Sequence, residues 1–294
     1  METSTTQQCY AILPDRGVIA VTGPDVRHFL DNILTIDTEA ALRDGAAYGG
    51  LLTPQGKVQF DFILFPAADG FLFDLPAATV ADFVRRLGLY RLRAQVAIAD
   101  RSADLAVLAG WDGAAPEVTG SIAPDPREPR LGWRAIVPRD ATEPSGWVRT
   151  TPEDYAAHRI AMGIPEGGAD FAYGDVFPHD VDMDQLRGVD FRKGCYIGQE
   201  VVSRMEHRGT ARRRVIRIEA ATDLPAPGTE VTADGRVLGT IAATTGGRGI
   251  AMIRLDRARE ALDASAQVTA GGIAVTLSIP DWARFGWPEP AAAE

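Results

Sequence analysis

The 294-residue chain has only two cysteines, two lysines and four histidines, and each scarcity excludes a class of protein. Cys9 and Cys195 cannot build a disulfide framework. Two thiols also fall short of the four-thiolate ligand set of a zinc site or a stand-alone iron–sulfur cluster. His28, His158, His179 and His207 show no metal-ligand spacing among themselves. No apolar run reaches the roughly 18 residues of a membrane span. The opening METSTTQQCYAILPDRG lacks the basic start and apolar core of a signal peptide, so a cytoplasmic protein with reduced thiols and no membrane partner is expected. Of the 30 basic residues 28 are arginine, a bias that with abundant Ala and Gly reads as a GC-rich genome. Lys57 and Lys193 are then either chance survivors or sites where a compact ammonium does what a guanidinium cannot, such as fitting a tight turn.

What is present is globular: 46% hydrophobic and 24% charged residues, in a chain long enough for two domains without staples. A net charge of −10 argues against a general binder of nucleic acid or anionic membrane. Between Arg187 and Arg217, however, nine basic residues stand against three acidic ones, a local +6 that points to one small anion or one acidic partner. An RNA contact is the weakest reading of that segment, because its arginines sit in an acidic protein with few aromatics among them.

Gly17 to Gly23 reads as a buried strand, followed by a helix from Asp25 to about Leu34 with Pro24 at its start. Val58, Phe60, Phe62 and Leu64 alternate with Gln59, Asp61 and Ile63, and Asp69-Gly70 marks a hairpin turn into a second strand. Asp61, opposite the aromatic row, faces either solvent or a cavity, and solvent is the expectation. Val80, Phe83, Val84 and Leu87 make one face of a helix on that sheet. Strands follow over 94–100, 103–111 and 131–138, with 112–130 a surface loop. A capped helix opens at Thr151-Pro152 and stops at Gly163, and 167–188 is loop-like. Beyond residue 211 short strands and Gly-rich turns point to a small barrel or sandwich. A boundary near 210 divides domain 1–209 from domain 210–294, and the tail after Trp282 is expected to fray.

Val189 to Arg214 carries the most unusual chemistry. Gly194 and Gly198 bracket Cys195 in a short turn ahead of a helix from Gln199 to about His207, with Arg192 and Lys193 close by, the ingredients of an activated thiol. Glu200 and Arg204 stand one helical turn apart and can pair, and Arg204 and Arg208 can meet an external anion. The plainer alternative makes Cys195 a small buried hydrophobe and the arginines a solvated face.

Lys193-Gly194-Cys195-Tyr196-Ile197-Gly198-Gln199-Glu200 resembles the KGCYxGQE signature of the YgfZ family of folate-binding proteins. GVIAVTGPDVRHFLDNILT, LLTPQGKV, RIAMGIPEG (159–167) and Ile279-Pro280 with Asp281-Trp282 lie in the family's order, so the resemblance covers most of the chain. It implies an α+β, aminomethyltransferase-like folate-binding region of mixed sheets and helices around a central channel, followed by a C-terminal small β-barrel. It also implies a non-transferase accessory factor in assembly or repair of iron–sulfur proteins, with Cys195 the required thiol and a possible ligand to a cluster shared with a carrier or client protein.

By the same resemblance Cys195 and Lys193 are the candidate reactive residues, and Lys57, Asp61, Arg159, Tyr196, Gln199, Glu200, Arg204 and Arg208 the candidates for holding tetrahydrofolate. Two departures bear on chemistry. The aminomethyltransferases carry paired aspartates where this chain reads Phe60-Asp61, and an Arg-x-Glu-x-Gly segment where it reads Arg159-Ile160-Ala161-Met162-Gly163. A pterin needs an acceptor for its N–H groups, since a buried unpaired donor costs about 1–3 kcal/mol. Either Asp61, Gln199 or Glu200 supplies that acceptor, or folate binds weakly or not at all. The alternative function is a folate-dependent one-carbon (aminomethyl) transferase or demethylase.

Overall fold

A computed structural model describes residues 7–209 and 211–289. Two compact units interleave along the chain instead of meeting at one boundary: 1–156 with 186–199, and 157–185 with 200–294. Thr210, where the sequence placed its division, lies outside the described residues.

In chain order the first unit runs β1 (Cys9–Ile12), β2 (Arg16–Thr22), α1 (Val26–Asp31), α2 (Thr38–Asp44), β3 (Ala47–Leu52), β4 (Val58–Ala67), β5 (Gly70–Pro76), α3 (Val80–Arg91), β6 (Ala97–Asp100), β7 (Leu105–Trp111), β8 (Ser121–Pro124), β9 (Trp133–Pro138) and β10 (Val148–Arg149). One sheet has the order β3-β4-β5-β2-β6, the other β10-β1-β7-β9-β8. The aromatic row of β4 joins Phe71, Phe73 and Leu75 of β5 and is roofed by Phe29 and Leu30 of α1 and Phe83 and Leu87 of α3, forming one apolar cluster. The alternation that reads as half-buried in sequence is therefore buried on both faces, because the opposite face of β4 and β5 meets the second sheet. Arg134 of β9 lies 3.1 Å from Asp74 of β5, and Asp61 is 4% exposed, which overturns the expectation of a solvated face. Strand β8 lies inside the stretch read as surface loop, and α1 stops at Asp31, short of Leu34.

Helix α4 (Pro152–Ala161) carries the chain from the first unit to the second, and α5 (Gln199–Arg208) does so again after the signature motif. The second unit then forms β11 (Arg213–Glu219), β12 (Glu230–Ala233), β13 (Arg236–Thr245), β14 (Arg248–Arg254), α6 (Leu255–Asp263), β15 (Val268–Ala270), β16 (Ile273–Ala274) and β17 (Thr276–Ser278). Its seven strands order as β16-β15-β12-β13-β14-β11-β17 around a core of Ile216, Ile218, Val231, Leu238, Ile241, Ile253 and Leu277. Helix α6 buries Leu255 and Ala258 against this core, an element the short-strand pattern conceals. The tail is not frayed as far as it is described: Phe285 and Trp287 pack on the same core. Residues 290–294 lie outside the described residues.

Candidate functional site

The KGCYIGQE turn is clamped at both ends, and both clamps need the residue types found there. The Lys193 ammonium donates to the backbone carbonyls of Asp31, Leu34 and Ile36 at 2.8, 2.8 and 2.7 Å. Three divergent donors meet three oxygens at the end of α1 and in the loop beyond it, where a planar guanidinium could not follow. Burial pushes the Lys193 pKa down, opposed by Asp31, Asp37 and Asp190. At the other end Gly198 (φ +80°) passes so close to the turn before β4 that a Cβ there would stand 2.6 Å from the Thr53 carbonyl oxygen and 3.0 Å from Gly56 Cα. The turns holding the chain's two lysines thus touch. That second turn is closed by Gly56 N–H to the Thr53 carbonyl and Lys57 N–H to the Thr53 hydroxyl.

Between the clamps Cys195 is exposed, so the buried-hydrophobe reading does not apply. Tyr196 is buried, lies under the Lys193 ammonium at 5.6 Å from its ring centre, and has a hydroxyl with no hydrogen-bond partner among the described residues. Burial, with Asp190 nearby, drives that phenol far above its ordinary range. Ile197 packs into the apolar cluster, and the Gln199 amide reaches the Gly194 carbonyl at 3.4 Å. Upstream, Thr35 ties the segment down, donating its hydroxyl to Gly188 and accepting from the Gly50 N–H, while its carbonyl accepts from Asp190 N–H.

A second feature of the first unit is a buried ionic layer between its sheets. The Tyr48 hydroxyl donates to Asp61 at 3.1 Å, and the Arg127 guanidinium lies 6.0 Å from the Tyr48 ring centre. Arg127 binds both oxygens of Asp125 and donates to the Tyr155 hydroxyl at 2.8 Å. Burial works against the Asp125 charge, yet Arg127 prevails and holds that carboxyl below its usual range. Asp74 takes Arg16 at 2.6 Å, and Nη1 and Nη2 of the fully buried Arg134 have no partner among the described residues. The sequence did not flag Asp74, Asp125, Arg127 or Arg134. A signal existed for Asp74: like Asp61 it interrupts an aromatic strand on the face opposite the phenylalanines. Phe60, standing where the resemblance places a second acid, packs edge-on against Phe83 at 5.1 Å and belongs to the core.

The other candidates belong to the second unit. Arg159 is engaged inside that unit, with the Ile164 carbonyl, Asp170 and Glu166 around its guanidinium. Gly163, at the end of the same segment, faces Pro280 at Cβ distance 2.8 Å, and the Trp282 indole donates to the Met162 carbonyl. Glu200 and Arg204 pair on the exposed surface of α5, as their spacing predicts. The local +6 is largely an internal matter. Arg213 binds Asp180, and Arg214 binds Asp182 and Asp184, acids from 180–184 that lie just outside the counted window. Arg208 sits in the last turn of α5, exposed.

Comparison with known proteins places this geometry. Residues 212–285 match the family described as CAF17, C-terminal beta-barrel domain. The mitochondrial iron–sulfur cluster assembly factor IBA57 of Mus musculus is 31% identical over 95% of this chain and 85% of its own length, and that of Homo sapiens 31% identical over 94% and 84%. A fungal homologue from Mycosarcoma maydis is 32% identical over 73% of this chain, which spans 58% of that longer protein. The crystal structure of glycine cleavage system aminomethyltransferase T from Bartonella henselae superposes with a TM-score of 0.72 at 16% identity, covering 94% of this chain and 87% of that one. The fold is thus aminomethyltransferase-like, with the expected C-terminal β-barrel. The expected cytoplasmic location is corrected, because these relatives are named as mitochondrial and point to a mitochondrial location instead. No helix of the described residues is long and apolar enough to cross a membrane.

Proposed function

This chain belongs to the IBA57 family of iron–sulfur cluster assembly factors, and on that premise we propose that it is an accessory factor in assembling or repairing iron–sulfur proteins, with Cys195 as its working thiol. The observation that carries the proposal is an exposed cysteine on a turn whose two flanks are immobilised, by three carbonyl bonds at Lys193 and by close backbone packing at Gly198. A thiol presented in this way meets a partner at little conformational cost. As thiolate it supplies one ligand to a cluster that a carrier or client protein shares; the cluster is cargo, and the remaining ligands come from the partner. The eight-residue KGCYIGQE motif supports the finer assignment to YgfZ-like factors.

Tetrahydrofolate is the small ligand of this reading. The residues present fit it: the inter-sheet layer of the first unit offers the buried carboxylate of Asp61 as an acceptor for pterin N–H groups, and the spare Nη1 and Nη2 donors of Arg134. The unpartnered Tyr196 hydroxyl, Lys57 and Gln199 belong to the same unit, whereas Arg159 is already committed to Asp170 and Glu166. When bound, the folate supplies a reduced pterin able to carry a one-carbon unit. With Phe60 in the core, Asp61 stands without the second acid of the aminomethyltransferase pair, which favours a binding role over group transfer.

The test is complementation of a strain lacking its own factor, read as activity of a four-iron enzyme. Wild type restores activity and Cys195→Ala does not; full rescue by Cys195→Ala overturns the proposal.

A further inference from the structure

The second unit brings together a histidine and two carboxylates that no spacing in the sequence announces. Pro178–Val181 forms a single 3-10 turn that buries His179 to 1% exposure. Its ring Nε2 lies 3.1 Å from Oε2 of Glu206, which comes from α5, 27 residues further on. Asp184 completes the group: one ligand atom from each of the three residues lies within 4.8 Å of the others. Among the described residues this is the only such group of three.

Two further observations separate the group from an ordinary polar cluster. Arg214 gathers the His179 carbonyl at 2.8 Å, both oxygens of Asp184 at 2.5 and 3.0 Å and one oxygen of Asp182 at 3.4 Å, so one guanidinium fixes the two carboxylates against the backbone of the histidine. Asp182 is fully buried, and its Oδ2 has no hydrogen-bond partner among the described residues. Asp180 is met by Arg213, Asp182 and Asp184 share Arg214, and the half-exposed Glu206 meets the histidine, so of the four carboxylates only Glu206 pairs with no arginine among the described residues.

From this geometry we propose a binding site for a divalent first-row transition cation, held by His179 Nε2, Glu206 and Asp184, with the unpartnered Asp182 oxygen two residues from Asp184 in the chain. One imidazole and two carboxylates are a borderline-to-hard donor set that suits Mn²⁺, Fe²⁺ or Zn²⁺ over soft, thiolate-seeking ions. Three protein ligands leave coordination positions for water. Bonds of about 2.1 Å place ligand atoms roughly 3.4 Å apart, within reach of a small rotation of the half-exposed Glu206, which also opens the site to solvent. The site belongs to the second unit, draws on none of the residues of the cysteine turn, and stands whether or not the assembly role does.

The probe is Mn²⁺ alone, which thiols bind poorly, titrated into metal-stripped full-length protein and followed by the electron paramagnetic resonance signal of the free aquo ion. One ion is bound per chain. Glu206→Gln, on a half-exposed side chain, keeps the fold by circular dichroism and weakens binding by about tenfold or more. His179→Asn does the same, and Cys195→Ser leaves binding unchanged. Retention of the full free-ion signal by the wild type overturns the proposal, as does Glu206→Gln binding as tightly as wild type. Loss of binding in Cys195→Ser also overturns it, because the ion would then sit on the thiol.

Discussion

The ammonium of Lys193 is 2.7 Å from the carbonyl oxygen of Ile36, 157 residues away in the chain, and this contact with its two companions fastens the cysteine turn to the end of α1. In a chain with 28 arginines the lysine is retained where three carbonyls diverge around a point charge. Lys193→Arg is expected to cost about 2 kcal/mol in chemical unfolding, the scale of charge-assisted bonds lost from a partly buried site, and to speed alkylation of Cys195 as the turn loosens. An unchanged unfolding midpoint would show that an arginine fits and that the three-carbonyl cradle is dispensable.

Gly194 and Gly198 flank the same cysteine but answer to different constraints. A Cβ at Gly194 meets nothing within 4 Å, whereas one at Gly198 meets the Thr53 carbonyl and the Gly56 backbone, at a positive φ. Gly198→Ala is expected to destabilise by about 2 kcal/mol or more and Gly194→Ala to lie near neutral; thermal unfolding of the pair checks the difference. Equal effects would remove the contact between the two turns from the account of how Cys195 is held.

Asp61→Asn keeps the shape of the side chain and the Tyr48 contact but removes the charge that accepts pterin N–H groups. Binding of 5-formyltetrahydrofolate, followed by calorimetry, should weaken about tenfold, or roughly 1.4 kcal/mol. Unaltered affinity in Asp61→Asn takes that carboxylate out of the folate site.

The barrel carries a pH-sensitive pair. Both nitrogens of the Arg254 fork bind Asp256 at 3.0 and 2.6 Å, which holds that carboxyl down at about 2. A carboxyl whose pKa is lower folded than unfolded stabilises the protein above the ordinary carboxylate range and loses that contribution as pH falls through about 2. With both side chains about one-third exposed, the contribution at neutral pH is about 1 kcal/mol after solvent screening. Asp256→Asn should therefore unfold at lower urea than wild type at neutral pH, and the gap should close near pH 2. A gap that persists there would assign the effect to packing.

Much of the fold is legible in the chain, and the reason is periodicity. Phe60, Phe62 and Leu64 announce a strand, Val80, Phe83, Val84 and Leu87 announce the helix above it, and both form as read. Glu200 and Arg204 pair because four residues make one helical turn wherever the helix happens to be. The site is legible only as far as the KGCYIGQE motif carries it, to a thiol between two glycines, and its exposure is known from the structure alone. The role of Lys193 is not, since no rule of spacing connects residue 193 with the carbonyls of 31, 34 and 36.

Local order in the sequence thus decides which segments are strands and helices and which short turn bears the cysteine, because those depend on neighbours within a few residues. Tertiary structure decides what covers the second face of β4, and so turns Asp61 from a surface acid into a buried one. It also decides where the basic segment finds its counter-charges and how His179 comes to lie beside Glu206. Burial and charge pairing are properties of space, and residues far apart in the chain reach each other only once the units have closed around them.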